Sequence, residues 1–389
     1  MSEYQYYEFQ AIDRPLDEDA MAALRAISTR AEITPTSLTN VYHFGNFKGN
    51  PDRLMEQYFD AHFYVANWGT RCLMLRLPAR SVPLATVTPY IVDNTLEARA
   101  TKEHVILHFH SDSDEGDEDF EEGEGWLASL IGLRSDLLAG DLRCLYLAWL
   151  SGVENDSVDE DTPEPPVVPG LQKLTGPLRR FIEFLRLDPK LVEVAATTSG
   201  EALPRVPPPE ELAAWIAELP REEKDQVLMR LIQGEGVPLA GELLQRYRKD
   251  HTRKQKRTGQ AGQSEEVPRT AGDLLEGRDK LAEIKKKQAA EKAAKEHAQW
   301  VREQEAARTR RLDAMKGREE ECWRQVEQAI QSKKPKEYDQ AVEWLKDLFA
   351  LADRSDSKDA AVKRIRELRE RHRNKSTFIQ RLDTAGIPE

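Results

Sequence analysis

The apolar residues in the first 153 positions change period several times. Over residues 4–12 they alternate, with Tyr7, Phe9 and Ala11 on one side and Tyr6, Glu8 and Gln10 on the other, which predicts a half-buried strand. Asp17, Glu18 and Asp19 then open a stretch in which Ala20, Met21, Leu24 and Ile27 recur at helical spacing, and carboxylates suit the positive end of a helix. Aromatic and β-branched residues over 38–47 and 62–68 predict two more strands, with a helix between them beginning at Asn50 and Pro51. In the next strand, residues 71–77, Leu73, Leu75 and Leu77 oppose Cys72, Met74 and Arg76 until Pro78 stops the run. A hairpin over 95–110 completes the sheet. Two helices over 126–138 and 142–150, parted by Gly140 and Asp141, are expected to cover it.

From there the period is helical. Residues 154–169 are acidic and carry Pro163, Pro165, Pro166 and Pro169, which reads as an extended linker. Proline-punctuated amphipathic segments over 170–250 predict a helical bundle, and the polar run 251–272 predicts a flexible linker. Residues 273–332 form a long charged helical pattern with few apolar positions. Strict heptads are not sustained, so a helical arm with a local packing seam is expected in place of a long regular coiled coil. The last segment, 333–389, reads as a helical hairpin in which Val342, Leu345, Leu348 and Phe349 face Val362, Ile365 and Leu368, capped by Phe378, Ile379 and Leu382. The expected fold class is therefore an α+β N-terminal domain, residues 1–153, followed by a mainly α-helical C-terminal half with a long charged helix.

Charge sharpens this division. Residues 1–244 carry a net charge of -21, residues 245–337 carry +8 and residues 338–389 carry +1, within a chain of 389 residues whose total is -12. The acidic part repels nucleic acid and anionic membrane, while the basic middle is expected either to attract one of these or to fold back on the chain's own acidic part. No run approaches the roughly 18 apolar residues of a membrane span, and Met1-Ser-Glu-Tyr-Gln lacks the basic start of a signal peptide. Cys72, Cys144 and Cys322 are the three cysteines; their odd number and spacing predict neither a disulfide framework nor a cysteine zinc site, and fit a reducing cytoplasm.

Three stretches carry candidate chemistry. His104, His108 and His110 share a strand face, a spacing that can bring two imidazoles to one metal, although no third ligand is defined. The expectation is a solvated polar face and no metal site. Residues 112–124 hold nine acids, and Ser111, Ser113, Glu115, Gly116 and Glu122 overlap part of an EF-hand register, but the first position is not Asp and the loop follows a strand. In the arm, Lys285, Lys286, Lys287, Arg308, Arg310 and Arg311 are candidates for phosphate contact, interspersed with Glu that pair along the helix. Glycine-rich phosphate loops, GxSxG and HExxH are absent from the sequence, so no catalytic residue and no cofactor is assigned.

The opening MSEYQYYEFQAIDRPL, the stretch PPPEELAAWIAELPREEKDQVLMRLIQGEG and the ending PKEYDQAVEWLKDLFALAD with FIQRLDTAGI together resemble a family of uncharacterised bacterial cytoplasmic proteins. The C-terminal hairpin is similar to that of some SWIM zinc-finger proteins, although the Cys and His pattern of that finger is missing. The resemblance implies a bacterial cytoplasmic protein and carries over no catalytic residue.

The functional expectation is a non-enzymatic adaptor or scaffold that binds a protein partner, or a second copy of itself, through the apolar positions of the arm: Trp300, Leu312, Met315, Trp323, Val326 and Ile330. Burying such side chains outweighs exposed ion pairs. The alternatives are a nucleic-acid-associated regulator using the basic arm and, after that, a metal-dependent enzyme using His108 and His110.

Overall fold

The structure, a computed structural model, describes residues 3–113, 122–201, 207–233, 236–257, 269–332, 334–355 and 357–387. The chain divides into two compact units, Met1–Ile284 and Lys285–Glu389.

The first unit is built on an antiparallel sheet. Its strands are β1 (Gln5–Gln10), β2 (Glu32–Thr34), β3 (Ser37–Tyr42), β4 (Ala61–Ala66), β5 (Arg71–Pro78), β6 (Leu96–Ala100) and β7 (His104–Ser111), in the order β2-β3-β1-β4-β5-β7-β6. The alternation read in β1 and β5 sorts the side chains onto two buried faces. On one, Phe9, Leu38, Met74 and Ile106 pack under α1 (Glu18–Ile27) and α2 (Pro51–Gln57), through Leu24, Leu54 and Met55, together with Phe59 just past α2. Asp17 and Asn50 cap these two helices through their side chains, as their place before the apolar residues dictates.

On the other face, Phe63, Leu73, Leu75, Leu107 and Phe109 are covered by a helical layer. It includes α3 (Leu84–Val87), α4 (Trp126–Leu130), α5 (Gly132–Leu138), α6 (Arg143–Glu154), α7 (Gly176–Leu185) and α8 (Pro189–Ala195). The helix expected over 126–138 is thus two helices, and Gly140 follows them at φ 82°.

That layer changes the expected boundary at residue 153. Leu178, Phe181, Phe184 and Leu191 belong to the same core as the sheet, because a sheet face this wide needs more than α4 to α6 to cover it. The proline-rich stretch 154–169 is correspondingly held at several points. The Glu164 N–H donates to Arg269 O at 2.8 Å, the Ala271 N–H donates to Thr162 O at 3.0 Å, and the Glu164 carboxylate accepts from the Tyr146 hydroxyl and pairs with Arg269 at 2.8 Å. Proline-rich composition removes N–H donors from this stretch, and those of Asn155, Ser157, Thr162 and Glu164 find backbone partners.

Three further helices, α9 (Pro209–Glu218), α10 (Arg221–Ile232) and α11 (Gly236–Arg257), complete the unit. α11 comes close to α5 at Gly241, where a Cβ would lie 2.2 Å from Leu138 O. The expected flexible stretch 251–272 is divided: α11 extends to Arg257, residues 258–268 lie outside the described ones, and Ala271 and Leu274 are buried in the core of the sheet unit.

α12 (Ala271–Met315) runs through the division between the units and spans about 68 Å at 1.5 Å per residue. The second unit then folds as a bundle of α13 (Glu319–Gln331), α14 (Pro335–Arg354), α15 (Lys358–Arg371) and α16 (Ser376–Thr384). The hairpin residues Val342, Leu345 and Leu348 meet Ile365 and Leu368, and Phe378 and Leu382 close the core. Among the described residues, no helix is long and apolar enough to cross a membrane. The fold class is the α+β N-terminal part and mainly helical C-terminal half expected from the patterning.

Candidate interaction surfaces

The arm owes its helical state to local chemistry. Between Gly277 and Gly317 the chain has neither Gly nor Pro and is rich in Ala, Lys, Glu, Gln and Arg, the residues that lose least on entering a helix. Lys292 and Glu296 stand 3.8 Å apart one turn apart in sequence, and Gln299 donates to Glu303 at 3.0 Å. Over residues 283–311 every side chain is exposed except the half-buried Val301. This stretch carries nine Lys and Arg against five Glu, and Trp300 lies on it with 57% of its surface open to solvent.

The six apolar residues expected to form one docking seam separate into two environments. Trp300 is exposed. Leu312, Met315, Trp323, Val326 and Ile330 are buried together with Tyr338, Leu345 and Phe378 in the core of the second unit. Their helical spacing is a packing signal, and the bundle already fills the face it marks. Arg364 lies over the Trp323 ring at 4.6 Å and pairs with Glu320, which closes the remaining side of that indole.

The basic candidates also differ among themselves. Lys285, Lys286, Lys287, Arg308 and Arg310 are exposed on the arm. Arg311 is exposed too, but its guanidinium is held 2.7 Å from the buried carboxylate of Asp347.

A second apolar surface lies in the first unit and was missed in the sequence reading. α10 turns Glu223, Val227 and Arg230 toward α11, where Glu223 pairs with Arg246 at 2.8 Å and Arg230 with Glu242 at 2.7 Å. Leu228, Met229, Leu231 and Ile232 are left exposed, as is Ile216 on α9. The clue was the run Val-Leu-Met-Arg-Leu-Ile, which is apolar on more than one side of a helix.

The sheet unit also holds a buried ionic group beside an open cleft of about 610 Å³, lined by residues that include Arg14, Glu56, Lys102, Glu103 and His104. Asp60 accepts from Arg76 Nη2 at 2.8 Å and from the N–H groups of Ile12 and Asp13 at 2.7 and 2.9 Å. Arg134 reaches Asp13 at 2.6 Å. Burial pushes the Asp60 carboxyl up, but Arg76, the Asp13 N–H, Arg134 and the Ile12 N–H together hold it below its ordinary range. Around the cleft, Asp13, Glu56 and Glu103 balance Arg14, Arg76 and Lys102, so charge selects neither an anion nor a cation.

The three candidate histidines lie on the sheet face that bears α2, half-buried and not on an open solvated face. His108 Nε2 is 3.2 Å from Asp52 Oδ1 without hydrogen-bond alignment, and Arg99 joins Glu56 at 2.6 Å. Burial holds the His108 imidazole below its ordinary value, against the pull of Asp52 and with the help of His110. His62, which went unremarked in the sequence, is the more strongly perturbed. It stacks on Phe9 at 3.9 Å between ring centroids, Nδ1 lies 2.9 Å from Glu8 O, and burial brings its pKa down to about 3. Burial likewise raises the Cys72 thiol to about 12, far from a reactive thiolate.

Among the described residues no group of three His, Cys, Asp or Glu is placed to hold a metal. Of the EF-hand-like register, Ser111, Ser113 and Glu122 are described, and Glu115 and Gly116 lie outside the described residues. Comparison of the chain with protein-family models, with curated proteins and with solved structures gives no match.

Proposed function

We propose that this protein is a non-enzymatic adaptor that holds a protein partner through its helical C-terminal half, with the exposed span of α12 around Trp300 as the contact. The observation that carries this reading is the exposure of residues 283–311 along about 40 Å of helix, with a large indole in the middle of an otherwise charged surface. Tryptophan buried at an interface contributes far more than the Lys and Glu around it. The five buried seam residues support the arm by fixing its C-terminal end in a core, and they are not themselves the contact.

The basic surplus of the arm favours a second reading, a nucleic-acid-associated regulator, in which Lys286, Lys287, Arg308 and Arg310 contact phosphates. Salt separates the two. With the tagged full chain as bait, the adaptor reading expects Trp300→Ala to lower capture of its partner by about tenfold or more with an unchanged unfolding midpoint. It expects neutralising Lys285, Lys286 and Lys287 to matter less. Capture lost by the triple lysine change, falling steeply between about 0.1 and 0.5 M NaCl and indifferent to Trp300→Ala, overturns the adaptor reading in favour of phosphate contact.

A further inference from the structure

α10 is amphipathic with its polarity reversed. Its inward side pairs Glu223 with Arg246 and Arg230 with Glu242 of α11, while its outward side carries Leu228, Leu231 and Ile232 at spacings of three and four, with Met229 adjoining. Ile232 is 81% exposed and Leu228 56%. A helix that turns its partly exposed ion pairs toward its neighbour and its apolar row into water leaves unfavourable apolar hydration that a docked element removes.

Charge identifies the kind of element. Residues 209–233 hold six Glu and Asp against three Lys and Arg. Arg230 is taken by Glu242, Arg221 stands 4.0 Å from Asp225, and Lys224 donates to Ala217 O. Glu210 and Glu222 are exposed with no ion-pair partner among the described residues. Two copies meeting through this face would bring like charges together, and an anionic bilayer would be repelled by the same surplus. A helix with an apolar stripe and lysine or arginine along its edges matches both features, because the stripe covers Leu228 and Ile232 while the edges meet the carboxylates.

We propose that the α9–α10 face docks a basic amphipathic helix of a protein partner. This surface does not depend on the arm, and either could function without the other.

The full chain is titrated with three fluorescent synthetic peptides of about 18 residues, roughly five turns. One has a Leu stripe flanked by Lys, one has the same stripe flanked by Glu, and one has the Lys and Leu scrambled so that no face exists. The Lys-flanked peptide is expected to bind at least about tenfold more tightly than the other two. A chain carrying Leu228→Ser and Ile232→Ser, which keeps every charge, should lose about tenfold or more of that binding while its circular dichroism and unfolding midpoint stay unchanged. Equal binding of the three peptides, or normal binding by the double variant, overturns the proposal. So does self-association in sedimentation velocity that the double variant abolishes, which makes a second copy the occupant. Flotation with phosphatidylcholine vesicles that the double variant abolishes overturns it too, and makes the face a lipid contact.

Discussion

α10 and α14 have comparable apolar content and opposite fates. In α14, Val342, Leu345, Leu348 and Leu351 disappear into the bundle of the second unit, whereas in α10, Leu228, Met229, Leu231 and Ile232 remain in water. The same contrast separates Trp323 from Trp300, and the buried Asp60–Arg76 pair from the exposed Lys292–Glu296 pair. Periodicity marks where a helix has an apolar face. What covers that face depends on elements distant in sequence, and this decides whether a residue contributes to stability or is available for contact.

The largest expected effect comes from the buried charge. Asp60→Ala leaves the buried Arg76 without its carboxylate, while Arg134 keeps Asp13, and should cost about 3–5 kcal/mol in denaturant unfolding of the first unit. Leu345→Ala in the second unit follows, at about 2–5 kcal/mol, because a fully buried side chain is replaced by a cavity. If either change proves silent, the assignment of that region as a core fails.

The response to acid sharpens the contrast within the sheet. His62 has a folded pKa of about 3 against an ordinary 6.5, so the unfolded chain takes up a proton that the folded chain refuses. Its contribution to stability is complete above pH 6.5 and declines as pH falls toward 3. Asp60, also depressed in the folded state, adds a further loss below its ordinary value of 3.8. A His62→Gln variant should therefore show a flatter stability profile between pH 6.5 and 3 than the parent and the same decline below it. Identical profiles in the two chains would mean that His62 is not held neutral by burial.

The smallest effects belong to the exposed helices. Ile232→Ser and Lys292→Ala should each change stability by no more than about 0.5 kcal/mol, since neither removes a buried contact.

Much of the fold was legible where one local signal sufficed. Alternation located β1 and β5, Asn50 and Pro51 located the start of α2, and the charged helical pattern over 273–332 marked the long helix. β2 was not legible because three residues, Glu32–Thr34, cannot display a period. The placement of α7 against the sheet was missed for another reason. Phe181 and Phe184 announce an amphipathic helix but not the surface it seals. The same limit governed the candidate site: Leu312 and Trp323 looked like a seam awaiting a partner, and their partner was the C-terminal bundle of the same chain.

Exposure separates contact residues from core residues, and a photo-crosslinking amino acid placed singly at position 300 or at position 330 tests that directly. The residue at 300 should form adducts with another protein molecule, whereas the one at 330, in place of the buried Ile330, should crosslink only within its own chain. Intermolecular adducts from position 330 together with none from position 300 would contradict this, because the contact would then lie in the core of the second unit.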